Sequence, residues 1–197
     1  AGGGEAEEGV ALAVPIHWFD NLAAINSRPW WVIDPADGRI PPLTPDAQKR
    51  QQMTDAARAA ARKVPGFRPG GLRDHYNERR SSERCITFQG PFRTPIIYGN
   101  SHQILQTRDY VVFRYEMIHE ARIIRLDGQP FSNPAVRTHF GESRGFWDGN
   151  SLVVESTNYH PDLNVRGASG QTLRVVERFT RIAPDKVEWT VTLDNPT

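Results

Sequence analysis

Between about residue 84 and residue 193, the chain is a succession of short apolar stretches separated by turn residues. Apolar and polar side chains alternate within many of these stretches, which is typical of β-strands. No alternation of strands with helices occurs here, so a parallel α/β sheet is not expected. The pattern predicts a mainly β fold, an antiparallel β-barrel of about eight strands. The stretches lie at 84–89, 94–98, 103–107, 110–115, 117–126, 144–147, 152–156, 172–182 and 186–193.

The clearest turn in the chain lies between two of these stretches, at Trp147-Asp148-Gly149-Asn150. An Asp-Gly pair flanked by apolar residues is a strong signal for a tight turn between paired strands. It predicts a β-hairpin that turns at Gly149.

The residues before the predicted barrel differ from it in composition. Residues 20–83 are rich in proline and turn residues and are interpreted as an extended connector. Within the connector, Thr44 is a good N-cap, Pro45 suits the first helical position, and an alanine-rich stretch follows. One short helix is therefore predicted at about 45–63. The domain organisation is then an N-terminal strand at 1–19, the connector at 20–83 and the barrel at 84–197.

The first nineteen residues contain a strand pattern of their own. Large apolar side chains alternate with small ones (Ala11, Ala13 and Pro15), and proline favours a strand edge or end. Two outcomes are open for such a strand. It folds back onto its own barrel, or it adds to the sheet of another copy as a donor strand. The large side chains of this predicted assembly strand are Val10, Leu12, Val14 and Ile16.

Charge and composition exclude some partners. With 24 Lys and Arg against 23 Asp and Glu, the chain lacks the basic excess expected of a nucleic-acid binder. No apolar run approaches the roughly 20 residues of a membrane span. The chain starts at Ala1 followed by three glycines, which fits signal-peptide cleavage and predicts an exported, extracellular or cell-surface protein. Its one cysteine, Cys85, excludes an intrachain disulfide.

Polar residues on the predicted strands form a candidate pocket. Carboxylates and cations inside a barrel suit a small ligand or acid–base chemistry. The pattern favours instead an internal ion-pair network or the solvated face of a sheet. The histidines lack metal-ligand spacing and no catalytic motif is present, so no cofactor, metal or catalytic residue is predicted. The candidate pocket residues are Glu116, His119, Arg122, Arg144, Glu155 and Glu177.

Several blocks of the sequence together resemble an uncharacterised family of exported bacterial β-barrel-like proteins. They lie at 33–44, 84–86, 103–107, 116–124, 141–147 and 152–155. The resemblance implies export and a barrel-like domain, and it implies no activity. In architecture, the chain also resembles barrel subunits of environmental extracellular filaments, in which the N-terminal strand of one subunit inserts into the next.

These observations favour a structural function. The leading hypothesis is a subunit of an extracellular filament, a homopolymer joined head-to-tail by insertion of the N-terminal strand into a neighbouring subunit. The alternative is an exported barrel that binds a small molecule or a glycan, similar to a lipocalin. An enzyme that uses the barrel carboxylates is a further alternative.

Overall fold

A computed structural model describes residues 31–63, 65, 79, 81–88, 94, 98–161, 163–165 and 168–196. The predicted assembly strand, with Val10, Leu12, Val14 and Ile16, lies outside the described residues. The described elements are one helix, α1 (Pro45–Ala61), and nine strands. The strands are β1 (His102–Gln106), β2 (Tyr110–Tyr115), β3 (Ala121–Arg125), β4 (Glu142–Asp148), β5 (Ser151–Thr157), β6 (Asn164–Val165), β7 (Ala168–Ser169), β8 (Arg174–Ala183) and β9 (Lys186–Asp194).

Helix α1 confirms the predicted helix and its capping residue. The Ala47 N–H donates to Thr44 Oγ1 at 3.2 Å, which satisfies one of the free amides at the helix start. Pro45 occupies the first turn. Ala47 is buried and most of the helix is exposed, because its alanine-rich sequence presents few large apolar side chains to a core.

Seven strands form one sheet in the order β1-β2-β3-β4-β5-β8-β9. The prediction of a purely antiparallel barrel of about eight strands is wrong in two respects. The main sheet has seven strands, and β3 and β4 pair in parallel, with Ile124 opposite Ser143. The parallel pair arises because the long irregular connection at 126–141 returns the chain to the end of the sheet where β3 started. The sheet is curled into a half-barrel and is mixed.

Two predicted strands differ from the structure. The stretch at 117–126 begins with a 3-10 turn, Met117–His119, so that β3 starts only at Ala121. The described part of 84–89 forms turns, in which the Ile86 N–H donates to the Ser81 carbonyl at 2.9 Å. Cys85 has a φ of 53° there, which is incompatible with an extended strand.

The hairpin predicted at Gly149 is confirmed. Strands β4 and β5 pair antiparallel from Glu142 opposite Thr157 to Asp148 opposite Ser151. Gly149 has a φ of 58°, which glycine adopts without the steric cost of a side chain.

The curvature of the sheet brings distant strands together on its concave side. The rings of Phe113 on β2 and Phe179 on β8 lie 5.0 Å apart, although three strands separate β2 from β8 in the sheet. Their contact fills the interior of the half-barrel with side chains. The buried core around them consists of Val111, Phe113, Ile124, Leu152 and Val154, packed against Tyr115, Leu126 and Phe179.

Candidate functional site

A buried ion pair lies on the concave face of the half-barrel, between Arg122 on β3 and Glu177 on β8. The two side chains are 3% and 1% exposed. Strands β4 and β5 separate β3 from β8, so the two backbones would be about 14 Å apart in a flat sheet. The pair can form because the sheet curls and because the arginine side chain extends across both intervening strands.

Small side chains on the intervening strands leave space for the guanidinium. Arg122 Nε donates to Ser143 Oγ on β4 at 3.0 Å, and its Nη2 donates to Ser156 Oγ on β5 at 2.8 Å. The two hydroxyls lie opposite each other in the β4–β5 ladder, 2.9 Å apart. Larger side chains at these two positions would fill the volume that Arg122 occupies.

The surroundings of the pair favour the charged form of Arg122. Burial lowers the pKa of Arg122, but the adjacent Glu177 carboxylate raises it by more, so the pKa lies above its ordinary value. Glu177 Oε1 also accepts a hydrogen bond of 3.2 Å from Trp189 Nε1 on β9. A buried charge needs such partners, because loss of hydration is costly.

Tyr159 borders this polar cluster and is fully buried. Its hydroxyl has no well-formed hydrogen bond among the described residues. Burial raises the pKa of Tyr159 above its ordinary value, and the Arg122 charge and the Ser156 hydroxyl only partly oppose the shift. The phenol is therefore held in its neutral form.

The structure brings together two of the six predicted pocket residues, Arg122 and Glu177. Glu116 and His119 are exposed residues of the connection between β2 and β3, where Glu116 Oε2 accepts from the Ser101 N–H at 3.3 Å. Glu155 points to the opposite face of β5 from Ser156, and it pairs there with Arg174 at 2.8 Å. Side-chain alternation along β5 is the physical reason that Glu155 lies apart from the ion pair.

Arg144 also lies on the convex face, where it anchors the long β3–β4 connection. It donates to Asp127 Oδ1 at 3.2 Å and to the Pro130 carbonyl at 2.9 Å, and it forms an ion pair with Glu142. Glu142 in turn accepts from the Ser132 N–H at 2.8 Å. Partial burial raises the pKa of Glu142, but the Ser132 bonds and the Arg144 charge lower it further, so the net shift is downward.

The edge strand β9 has a regular apolar face. Val187, Trp189, Val191 and Leu193 share the concave side with Phe179, because Phe179 lies opposite Trp189. Among the described residues, no strand pairs with the outer edge of β9, or with that of β1. Val187 and Leu193 are 53% and 40% exposed. An unpaired edge with exposed apolar side chains is a template for addition of another strand.

Sequence reasoning missed Ser143, Ser156, Tyr159 and Trp189 as members of the polar cluster. Only the small side chains of Ser143 and Ser156, at facing strand positions, indicated where the Arg122 side chain lies. Among the described residues, no group of three or more His, Cys, Asp and Glu could hold a metal ion. No described helix is long and apolar enough to cross a membrane.

No family model matches the chain, and no curated protein or solved structure is significantly similar to it. The resemblance to exported bacterial β-barrel-like proteins therefore stays a prediction.

Proposed function

We propose that this protein is a structural subunit of an extracellular filament, in which the N-terminal strand of one copy adds to the open edge of β9 in the next. The observation that supports the proposal is a match of patterns. Strand β9 presents four apolar side chains at every second position, Val187, Trp189, Val191 and Leu193. The N-terminal strand carries four at the same spacing, Val10, Leu12, Val14 and Ile16.

The match supplies both affinity and register. Backbone hydrogen bonds hold an added strand to a sheet edge, and alternate side chains fix its position along that edge. Full burial of each large apolar side chain stabilises by roughly 1.5–3 kcal/mol. Ordering of the strand and association of two molecules offset part of this free energy.

The chain between the donor strand and the described body is long enough to reach a neighbour. Between Ile16 and Trp31, an extended chain spans about 50 Å. A donor segment and an acceptor edge are different surfaces, so each copy presents one of each. Such a contact is head-to-tail, and it produces a helical filament when the rotation between copies does not close a ring. The extracellular location rests on the resemblance of the sequence to exported proteins.

The first test is electron microscopy of the intact protein beside Leu12→Asp/Val14→Asp. We expect filaments from the intact protein and monomers with an unchanged circular dichroism spectrum from the variant. The matched control, Ala11→Ser/Ala13→Ser, changes the small-residue face of the same strand and should still polymerise. Filaments from the aspartate variant, or monomers from the intact protein, would refute the proposal.

A mixing experiment distinguishes insertion between copies from insertion within one copy. Val187→Asp/Leu193→Asp blocks the acceptor edge and leaves the N-terminal strand intact. Mixed with the donor variant Leu12→Asp/Val14→Asp, it should form dimers that grow no further, because each pair has one working donor and one working edge. Native mass spectrometry of the mixture measures this. A mixture that stays monomeric would mean that the strand folds back onto its own sheet.

A ligand-binding or catalytic half-barrel stays the alternative prediction. A ligand on the concave face would need to reach Arg122 or Glu177. Both side chains are buried and already bonded to Ser143, Ser156 and Trp189. The contacts therefore favour a structural role for this ion pair.

A further inference from the structure

Between β2 and β8, the sheet curls strongly enough to bring side chains together across its interior. Strands β2 and β8 are four positions apart in the sheet, and Phe113 and Phe179 on them touch across the interior. In a closed barrel of eight strands, positions four apart are opposite each other, and the interior is just wide enough for side chains to fill it. The contact between β2 and β8 is therefore compatible with a barrel of one more strand than the seven of this sheet.

Both edge strands lie beside this central contact. The His102 ring on β1 is 6.2 Å from Phe113, and the Trp189 ring on β9 is 5.9 Å from Phe179. The rims of the opening carry exposed apolar side chains, with Ile104 of β1 at 47% exposure. Ile104 shares the concave side with Phe113, its partner in the ladder. The open side of the half-barrel is thus bordered by apolar side chains from both edges.

The edge strands are also staggered in the way that closure requires. One continuous row of ladder partners runs across the sheet from Gln106 of β1 to Leu193 of β9, through Val111, Ile124, Ser143, Ser156 and Val175. Gln106 ends β1, so the rest of β1 lies on one side of this row. Almost all of β9 lies on the other side. Strands in a closed barrel are tilted, and their register is offset around the barrel by a fixed amount.

Strand directions limit how an eighth strand could fit. The successive pairings make β1 and β9 run in opposite directions. A strand between them is therefore antiparallel to one and parallel to the other. Strand β9 has nine residues and β1 has five, and antiparallel pairing is slightly more stable per residue. The longer edge favours antiparallel pairing with β9.

We propose that the segment Val10 to Ile16 of a second copy occupies the eighth position, antiparallel to β9 and parallel to β1, and so closes the barrel. The inference rests on the proposed function and adds the second edge, the direction and the register. It places Ile16 opposite Val187 and Val10 opposite Leu193. Pro15 has no N–H, so the added strand lacks one ladder bond at this position. Closure removes both exposed sheet edges from the filament.

Disulfide cross-linking between two differently tagged chains tests this placement. Cys85, the one native cysteine, is exposed and is first replaced by serine. Donor chains carry a cysteine at Val10, Leu12, Val14 or Ile16. Acceptor chains carry one at Val187, Leu193 or Ile104. Each chain then has a single thiol, so every donor–acceptor disulfide joins two copies.

After mild oxidation, we expect Ile16→Cys to join Val187→Cys and Val10→Cys to join Leu193→Cys. At least one donor should also join Ile104→Cys on β1. The matched control acceptors are Leu105→Cys and Thr192→Cys, which face outward on the same two strands. They should give no cross-linked band.

Each negative cross-linking result contradicts a different part of the proposal. Cross-links to β9 without any to Ile104→Cys would overturn barrel closure while strand addition at β9 stands. Exchanged partners, with Val10→Cys joined to Val187→Cys, would overturn the proposed direction. The absence of every donor–acceptor disulfide, with monomers in the microscope, would overturn the proposed function together with this inference.

Discussion

Arg122 and Glu177 form an ion pair that passes over two strands of their own sheet. The pair links the two halves of the half-barrel from the inside, above the hydroxyls of Ser143 and Ser156. It therefore fixes the curvature of the sheet as well as satisfying its own charges.

Breaking this pair should destabilise the fold more than replacing it. Arg122→Met or Glu177→Leu alone leaves one buried charge without its partner, which costs about 3–5 kcal/mol. The double variant leaves no charge uncompensated and should lose much less than the sum of the two. Urea unfolding of the four proteins gives the coupling free energy. Additive losses would show that the two side chains do not depend on each other.

A methyl group at Gly145 should also destabilise the core. A Cβ at this position would lie 2.8 Å from Ile124 Cγ2 and 3.0 Å from Leu126 Cδ2. Gly145→Ala should therefore cost about 1–3 kcal/mol of unfolding free energy, the usual range for overpacking. The same change in a Leu126→Ala background should cost less, since one of the crowded atoms is gone. Equal costs in both backgrounds would contradict the contact.

The buried phenol of Tyr159 predicts an alkaline limit to stability. The pKa of Tyr159 is raised in the folded state. Its contribution to the free energy of unfolding is therefore complete below the ordinary pKa of 10.0 and is lost as the pH rises above that value. Tyr159→Phe removes a hydroxyl without a well-formed hydrogen bond, so it should leave stability at pH 7 unchanged or higher by about 1 kcal/mol.

Thermal unfolding from pH 7 to pH 11 measures the effect of Tyr159. The wild-type decline above pH 10 should become shallower in Tyr159→Phe. Tyr110→Phe changes a residue that is 41% exposed and is the matched control. A loss of stability at pH 7 in Tyr159→Phe would mean that the hydroxyl has a bonding partner after all.

The lowered pKa of Glu142 predicts that the protein loses stability at acidic pH. The pKa of Glu142 is lowered in the folded state, so its contribution is present above its ordinary value of 4.5 and is lost as the pH falls below it. Glu142→Gln should be less stable than wild type at pH 7, and its stability should fall less between pH 5 and pH 3. Urea unfolding at these pH values measures both. An acid decline in Glu142→Gln as steep as that of the wild type would contradict this prediction.

Much of the sheet could be predicted because its signals are local. Strand β2 has the bounds expected from its alternation, and most of the other long strands differ by a few residues. The Gly149 hairpin and the helix start at Thr44 were predicted for the same reason. A turn dipeptide or a capping side chain acts through hydrogen bonds and backbone angles within a few residues of itself.

The candidate site was predicted in part. Arg122 and Glu177 were named, and an internal ion-pair network was one of the interpretations. Arg144 and Glu155 were grouped with them, although they lie on the convex face. Which side chains of a strand are buried depends on which side of the sheet becomes the core. A short turn such as Met117–His119 shifts the alternation of inward and outward side chains, and no strong sequence signal marks it.

The sequence by itself determined the mainly β class, the capped helix and the tight hairpin, because each depends on neighbouring residues. Only the tertiary structure decided the parallel β3–β4 pair, the curl of the sheet and the partner of Arg122. These depend on where the long 126–141 connection returns the chain and on how side chains from β2, β3 and β8 fill one interior. Residues more than fifty positions apart, such as Arg122 and Glu177, meet only after the whole sheet has formed.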